Sequence, residues 1–392
     1  MDKLVPAVRK YSWGSRTLIP ELLGQEASTG PVAELWYGAH PADPSHVAGS
    51  NRSLADVIAE DPASLGDWSA QGLPFLMKLL AAGEVLSLQA HPSPEQAVEG
   101  FARENALGIP LDDPKRNYKD ASHKPEIIIA LTPFYAMAGF RPLARTRELF
   151  AALGCAELER YVGMLSPETD AASEADNLRA LFTTWITIPA QARHELIDAI
   201  VAAAPRATEP WMRRVMDTVV GINEQYPGDI GVLGALLLNH IELAPGEAVF
   251  LAAGQLHAYV SGLGVEVMAN SDNVLRGGLT PKYVDVPELV KVLKFEPLEE
   301  PRVQSAVFGH LTEYPTPVDE FTVDRLELAA GDTGVLTFDE GNRGPGIALC
   351  TAGTIRVGEE ELRPGDAVWL PADVAPGSYE AVTDAQLFVA RA

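Results

Sequence analysis

A chain of 392 residues, 47% hydrophobic and 21% charged, is long enough for two or three domains and too apolar for disorder over most of its length. Its formal net charge of −24 repels both nucleic-acid phosphate and anionic membrane surface, so neither is an expected partner, and an anionic ligand needs a local cationic pocket. Two cysteines, Cys155 and Cys350, are too few for a disulfide framework or a thiolate zinc cluster, MDKLVPAVRKYSWG lacks the apolar core of a secretion signal, and no run of about 18 apolar residues offers a membrane span, so a reducing cytoplasm is the expected location.

The N-terminal segments KYSWGS and AELWYGAHPADPS carry Trp13, Trp36 and His40. An indole can cover a sugar face, but aromatic side chains more often fill a core, and His40, in a loop before proline, reads as structural. LPFLMKLL and EVLSLQAH then read as strands. In LSLQAHPS, strand alternation puts Ser87, Gln89 and His91 on one face and Leu86, Leu88 and Ala90 on the other, so the polar stripe is either wet surface or a site. Lys115, Arg116, Lys119, His123 and Lys124 follow, crowded into ten residues of an acidic chain. For Lys115 and Arg116 a solvated loop is the expectation. Lys124 differs, because it precedes Glu126 of the strand HKPEIIIAL by two and so shares its face.

From about residue 143 the pattern becomes helical. Leu196, Ile197, Ile200, Val201 and Ala204 form one stripe and Met212, Val215, Met216 and Val219 another, closed by the turn Pro227-Gly228-Asp229. ALLLNHIEL and EAVFLAAG return to strand. LAPGEAVFLAAGQLH, from Leu243, aligns with LRPGDAVWLPADVAP, from Leu362, a repeated turn-then-strand unit that predicts two double-sheet jelly rolls of the cupin type. His257 of the first copy falls opposite Pro376 of the second, which offers no lone pair, so only the first is expected to carry a site. The expected fold is mainly β with an α-helical insertion. A cupin-like catalytic unit would span 1–142 and 227–300, a helical unit 143–226, and a degenerate cupin-like β unit 301–392.

Gln89, His91, Glu126 and His257 form a candidate metal set of two imidazoles, one carboxylate and one amide oxygen. These donors suit zinc, and also Mn, Co or Fe(II), and a single carboxylate leaves the ion a strong Lewis acid. The alternative is a strand histidine satisfied by backbone and a surface amide. GQLHAYVSGLGVEVMANSDNVLRGGLTPK then gathers Glu266, Asn270, Asp272, Asn273, Arg276 and Lys282 among glycines, either a polar turn or a site in which Arg276 and Lys282 hold phosphate or an oxyanion.

YSWGS, AELWYGAHPADPS, LSLQAHPS, HKPEIIIAL, LLLNHIELAPGEAVFL, GQLHAYVSGLGVEVMANSDNVLRGGLTPK and YVDVPELV, in this order, resemble the type I phosphomannose isomerases from near the N-terminus to about residue 300. The resemblance implies one zinc at Gln89, His91, Glu126 and His257, with Arg276 as catalytic arginine. It also implies active-site roles for Lys124, Glu266, Asp272 and Lys282, and a place near the phosphate for Ser87. Trp13 is the candidate to pack on the sugar. The implied reaction interconverts mannose 6-phosphate and fructose 6-phosphate through a cis-enediol. Lys124 or Glu266 would shuttle the proton and His123 would help open the ring. The expected partner is a small phosphosugar and the expected state a monomer, since a dimer would need an apolar patch. An Fe(II) oxygenase and a non-enzymatic sugar-phosphate sensor are the competing readings.

Overall fold

The strand Phe75–Ala82, which begins in the run LPFLMKLL, is buried at every position. A strand with no wet face must be covered on both sides. Phe75, Met77, Leu79 and Ala81 join a core shared with Ile347, Leu349, Trp369 and Phe388 near the C-terminus, whereas Leu76, Lys78 and Leu80 line a cavity. These descriptions come from a computed structural model, which describes residues 1–165, 171–335, 344–372 and 378–392.

The sheet around this strand runs Ala248–Leu251, Glu126–Ala130, His257–Ala269, Phe75–Ala82, Glu34–Tyr37, Ala7–Arg9, with every neighbour antiparallel. Its 13-residue strand His257–Ala269 belongs to two layers. Residues 262–269 pair with Phe75–Ala82, while His257, Ala258, Tyr259 and Ser261 pair with Phe134–Phe140. The chain changes layer at a register shift after Tyr259 and at Gly262, whose φ of 123° no side chain adopts easily and where a Cβ would stand 2.8 Å from Phe134. In the second layer Leu88–Ala90 pairs with both His257 and the strand Leu275–Gly278, and Phe134–Phe140 pairs with Leu238–Leu243.

The helices Leu143–Leu153, Ala156–Val162, Ala171–Ile186, Ala190–Ala203, Pro210–Gln225 and Ile230–Ala235 all fall between the paired strands Phe134–Phe140 and Leu238–Leu243. Leu196, Ile197 and Ile200 of one expected stripe, and Met212, Val215, Met216 and Val219 of the other, lie in their common core, with Val201 and Ala204 packed at its edge.

The C-terminal residues build a second sheet, in the order Thr322–Leu328, Ala385–Arg391, Gly346–Ala352, Ala367–Leu370, which the N-terminal strand Asp2–Val5 extends. One face packs on the first sheet; the other encloses a dry core with Ile355–Val357 and Ser378–Ala381. The fold is thus mainly β with a helical region, as expected.

The two Pro-Gly turns superpose in chemistry. Gly246 and Gly365 have φ of 90° and 89°. Each donates its N–H to the preceding strand, to Ala130 O and Cys350 O, and each turn is pinned by a carboxylate, Glu247 on the N–H of Ala244 and Asp366 on that of Arg363. Pro376, the expected counterpart of His257, lies outside the described residues.

Candidate active site

His91, Glu126 and His257 converge from three strands or strand ends and are essentially sealed from solvent, at 0%, 2% and 1% exposure. His91 Nδ1 donates to Asn273 O at 2.7 Å and His257 Nδ1 to Gln255 O at 2.9 Å. A carbonyl can only accept, so both Nδ1 atoms carry the proton and both Nε2 lone pairs are free. Those lone pairs aim at Glu126, His91 Nε2 at 3.3 Å from Oε1 and His257 Nε2 at 3.5 Å from Oε2. His91 Nε2, His257 Nε2 and Glu126 Oε2 have no hydrogen-bond partner. Burial drives the His91 imidazole down to about 4 despite Glu126, and Lys124 and His91 hold the Glu126 carboxyl well below its usual range against the opposing effect of burial. Two imidazole Nε2 atoms and a carboxylate oxygen facing one point without hydrogen-bond partners are what a cation requires, and unmatched buried polar atoms are costly without one. Gln89, opposite both His257 and Arg276, brings an amide to the same wall of the cavity.

Glu126 of this candidate metal trio lines a cavity of about 390 Å³. Trp13, Ser87, Gln89, Lys124, Glu266, Asp272, Arg276 and Lys282 all line it. Lys124 Nζ stands 2.9 Å from Glu126 Oε1. Arg276 and Lys282 make no ion pair among the described residues, and burial lowers the pKa of each, with Arg276 adding to the effect on Lys282. Two lining cations without counter-charge among the described residues, in a chain of net charge −24, suit the cavity to an anion.

The structure does not bring His123 into the cavity. Its ring turns away and meets Glu320 in the C-terminal part. Neighbouring residues of an extended chain point to opposite sides, so a Lys124 that faces inward sends His123 outward. Arg116 is also corrected: it is buried rather than solvated, bonded to Tyr118 O, Ile109 O and Asn105 Oδ1 and paired with Glu104.

Several further residues of the cavity form a buried polar network beside the expected ones. Lys78, the lone charge of LPFLMKLL, bonds Glu266 Oε2 at 2.8 Å and lies 3.6 Å from Glu34. Burial opposes its charge, but Glu266, Glu34 and Glu126 outweigh that and keep it protonated. Tyr259 donates to Glu266 Oε1 at 2.8 Å, and Trp36 donates to Glu34. His40 accepts the N–H of Ala42 on Nδ1, so its Nε2–H faces Asp272 Oδ1 at 3.4 Å, and that contact holds the Asp272 carboxyl low. A charge inside an apolar strand was the available signal, because a buried lysine needs a buried partner.

The family model of the type I phosphomannose isomerase catalytic domain matches residues 1–143. The chain is 40% identical over 391 residues to the mannose-6-phosphate isomerase of Escherichia coli, covering 96% of each chain, and 39% identical over 400 residues to that of Salmonella typhimurium, with the same coverage. This chain belongs to the type I phosphomannose isomerases. Its fold agrees with that of a mannose 6-phosphate isomerase bound with zinc and yttrium, at 37% identity and a TM-score of 0.88 over 100% of this chain and 99% of that one. A second isomerase structure, from Salmonella typhimurium with substrate (F6P) and zinc bound, matches at 36% identity with a TM-score of 0.88 over the same shares. No helix among the described residues is long and apolar enough to cross a membrane.

Proposed function

We infer that this phosphomannose isomerase interconverts mannose 6-phosphate and fructose 6-phosphate, and that the free Nε2 atoms of His91 and His257 with the unpartnered Oε2 of Glu126 carry that reading. They would hold zinc, with Gln89 beside them; when bound, the ion would polarise the sugar carbonyl and stabilise enediolate charge. A cavity of about 390 Å³ suits a hexose phosphate, with Glu126 of the metal trio on its lining for carbonyl chemistry and the cations Arg276 and Lys282 for phosphate. Ser87 and Trp13 line the same cavity, where a sugar ring needs a hydroxyl partner and an apolar face.

The proton must leave one carbon and return to its neighbour, so one group must reach both. Both oxygens of Glu266 already accept hydrogen bonds, from Lys78 and Tyr259. Lys124 has the single partner Glu126 and stands at the metal trio, so it is the group we assign to the shuttle, with Glu266 holding the buried network in place. Asp272, steadied by His40, would orient sugar hydroxyls. Lys124→Ala should lower kcat more than about a hundredfold while the zinc content, read by metal analysis, stays at one per chain. Near-normal turnover would remove Lys124 from the role. Chelation should abolish activity in a coupled assay, and zinc should restore it.

A further inference from the structure

The turn Pro227-Gly228-Asp229 does more than end the helical segment. Asp229 Oδ1 accepts the N–H of Gly231, which caps the helix Ile230–Ala235, and also the N–H of Leu279 in a distant part of the chain, both at 2.7 Å. Leu279 is the one non-glycine residue with positive φ among the described residues, at 56°. A branched apolar residue takes that backbone only where its surroundings impose it. Here they do. The Leu279 side chain is 1% exposed and rests on Gly231, where a Cβ would stand 2.6 Å from Leu279 Cγ. A Cβ on Gly278, whose φ is 122°, would meet the Gly231 nitrogen at 2.5 Å. The helix and the strand end thus touch backbone to backbone, locked by one carboxylate.

The step at Leu279 redirects the chain. Before it, the strand Leu275–Gly278 sends Arg276 into the cavity; after it, Thr280, Pro281 and Lys282 line the same cavity, and Thr280 Oγ1 accepts the N–H of Lys282 at 3.1 Å. The left-handed turn therefore sets the distance between the two unpaired cations. Tyr226, three residues before Asp229, lines the cavity as well, so the end of the helical segment reaches the site twice.

We propose that Asp229 is a positioning residue for phosphate: by holding Leu279 in its left-handed turn it aims residues 280–282 and Arg276 at one anion, and through it the helical segment sets substrate affinity without touching proton transfer. This rests on the phosphosugar reading above. The test uses the zinc-loaded full chain, with steady-state kinetics on mannose 6-phosphate and titration calorimetry of inorganic phosphate. Asp229→Ala should raise KM and the phosphate Kd about tenfold while kcat stays within about twofold, with zinc content and circular dichroism unchanged. Asp229→Asn keeps a carbonyl oxygen for both N–H groups and should stay within about twofold of the parent in both constants. Unchanged KM and phosphate binding in Asp229→Ala would overturn the proposal, as would an Asn variant as impaired as the Ala variant, or a fall in kcat matching the rise in KM. If Asp229→Ala does not fold, Leu279→Gly, which frees the same turn and leaves the helix cap intact, must raise KM with kcat held, and an unchanged KM would overturn it. Failure of the parent chain to isomerise mannose 6-phosphate would instead sink the functional reading.

Discussion

The strand pair Glu126–Ala130 and Ala248–Leu251 and the pair Gly346–Ala352 and Ala367–Leu370 share turn, register and neighbours, yet enclose opposite interiors. Leu251 sits opposite Glu126 and Leu370 opposite Gly346, so the candidate ligand carboxylate of the first pair corresponds to a glycine in the second. On the next strand, Glu266 opposite Ile128 corresponds to Val389 opposite Ala348. Val389, Ala348, Val368 and Leu387 fill a dry core where the first pair has a cavity. The same backbone therefore serves as reaction vessel or as buttress, and a handful of inward side chains decides which. The buttress is not idle, since Ile347, Leu349, Trp369 and Phe388 close the back of the catalytic sheet.

Giving the catalytic pair the residues of its counterpart should have the largest effect. Glu126→Gly copies Gly346 and removes the charge that the two histidines face; activity should fall about a thousandfold or more and metal analysis should find no retained zinc. Zinc at one per chain in that variant would show that the carboxylate does not define the site.

Glu266→Val copies Val389 and leaves the Lys78 ammonium buried beside Glu34 alone. Chemical denaturation should register a loss of about 3–5 kcal/mol, and adding Lys78→Met together with Glu34→Gln should recover most of it, because removing all three buried charges removes the desolvation cost with them. A triple variant no more stable than the single one would mean that the cluster acts through packing rather than charge.

The smallest effect lies in the buttress. Asp324 faces Glu313 across the strands, and burial, reinforced by Glu313 and opposed by Arg391, pushes its carboxyl up to about 6. A carboxyl raised above its unfolded value of 3.8 holds its proton longer when folded, so the Asp324 contribution to stability is full below pH 4 and is lost as pH rises through 6. Asp324→Asn should therefore gain about 1–3 kcal/mol at pH 8 and nothing below pH 4, read from unfolding midpoints across that range. A gain independent of pH would assign the effect to shape.

The metal trio was legible because strand alternation ties Gln89 to His91, and because His257 and Glu126 lie in motifs that resemble a known family. The helical stripes were legible because periodicity is local. Three things were not. The pairing of Asp2–Val5 with Ala367–Leu370 joins the ends of the chain, and no local pattern announces it. Lys78 and Glu34 sit in other segments than Glu266, and only the sheet register brings them to it. His123 was drawn towards the site by its nearness to Lys124 in sequence, when adjacency in an extended chain argues for the opposite side.

The whole helical segment occupies what is, topologically, the loop of a hairpin, since Phe140 and Leu238 are register partners across it. The entropy of closing a loop grows only with the logarithm of its length, so equilibrium stability barely registers the insertion. Speed is another matter. Strands so far apart in sequence find each other slowly unless what lies between them has already contracted. The helices should accordingly form first and draw the two strands together, so that a ribosome-bound or truncated chain lacking them would hold Phe134–Phe140 and Leu238–Leu243 apart.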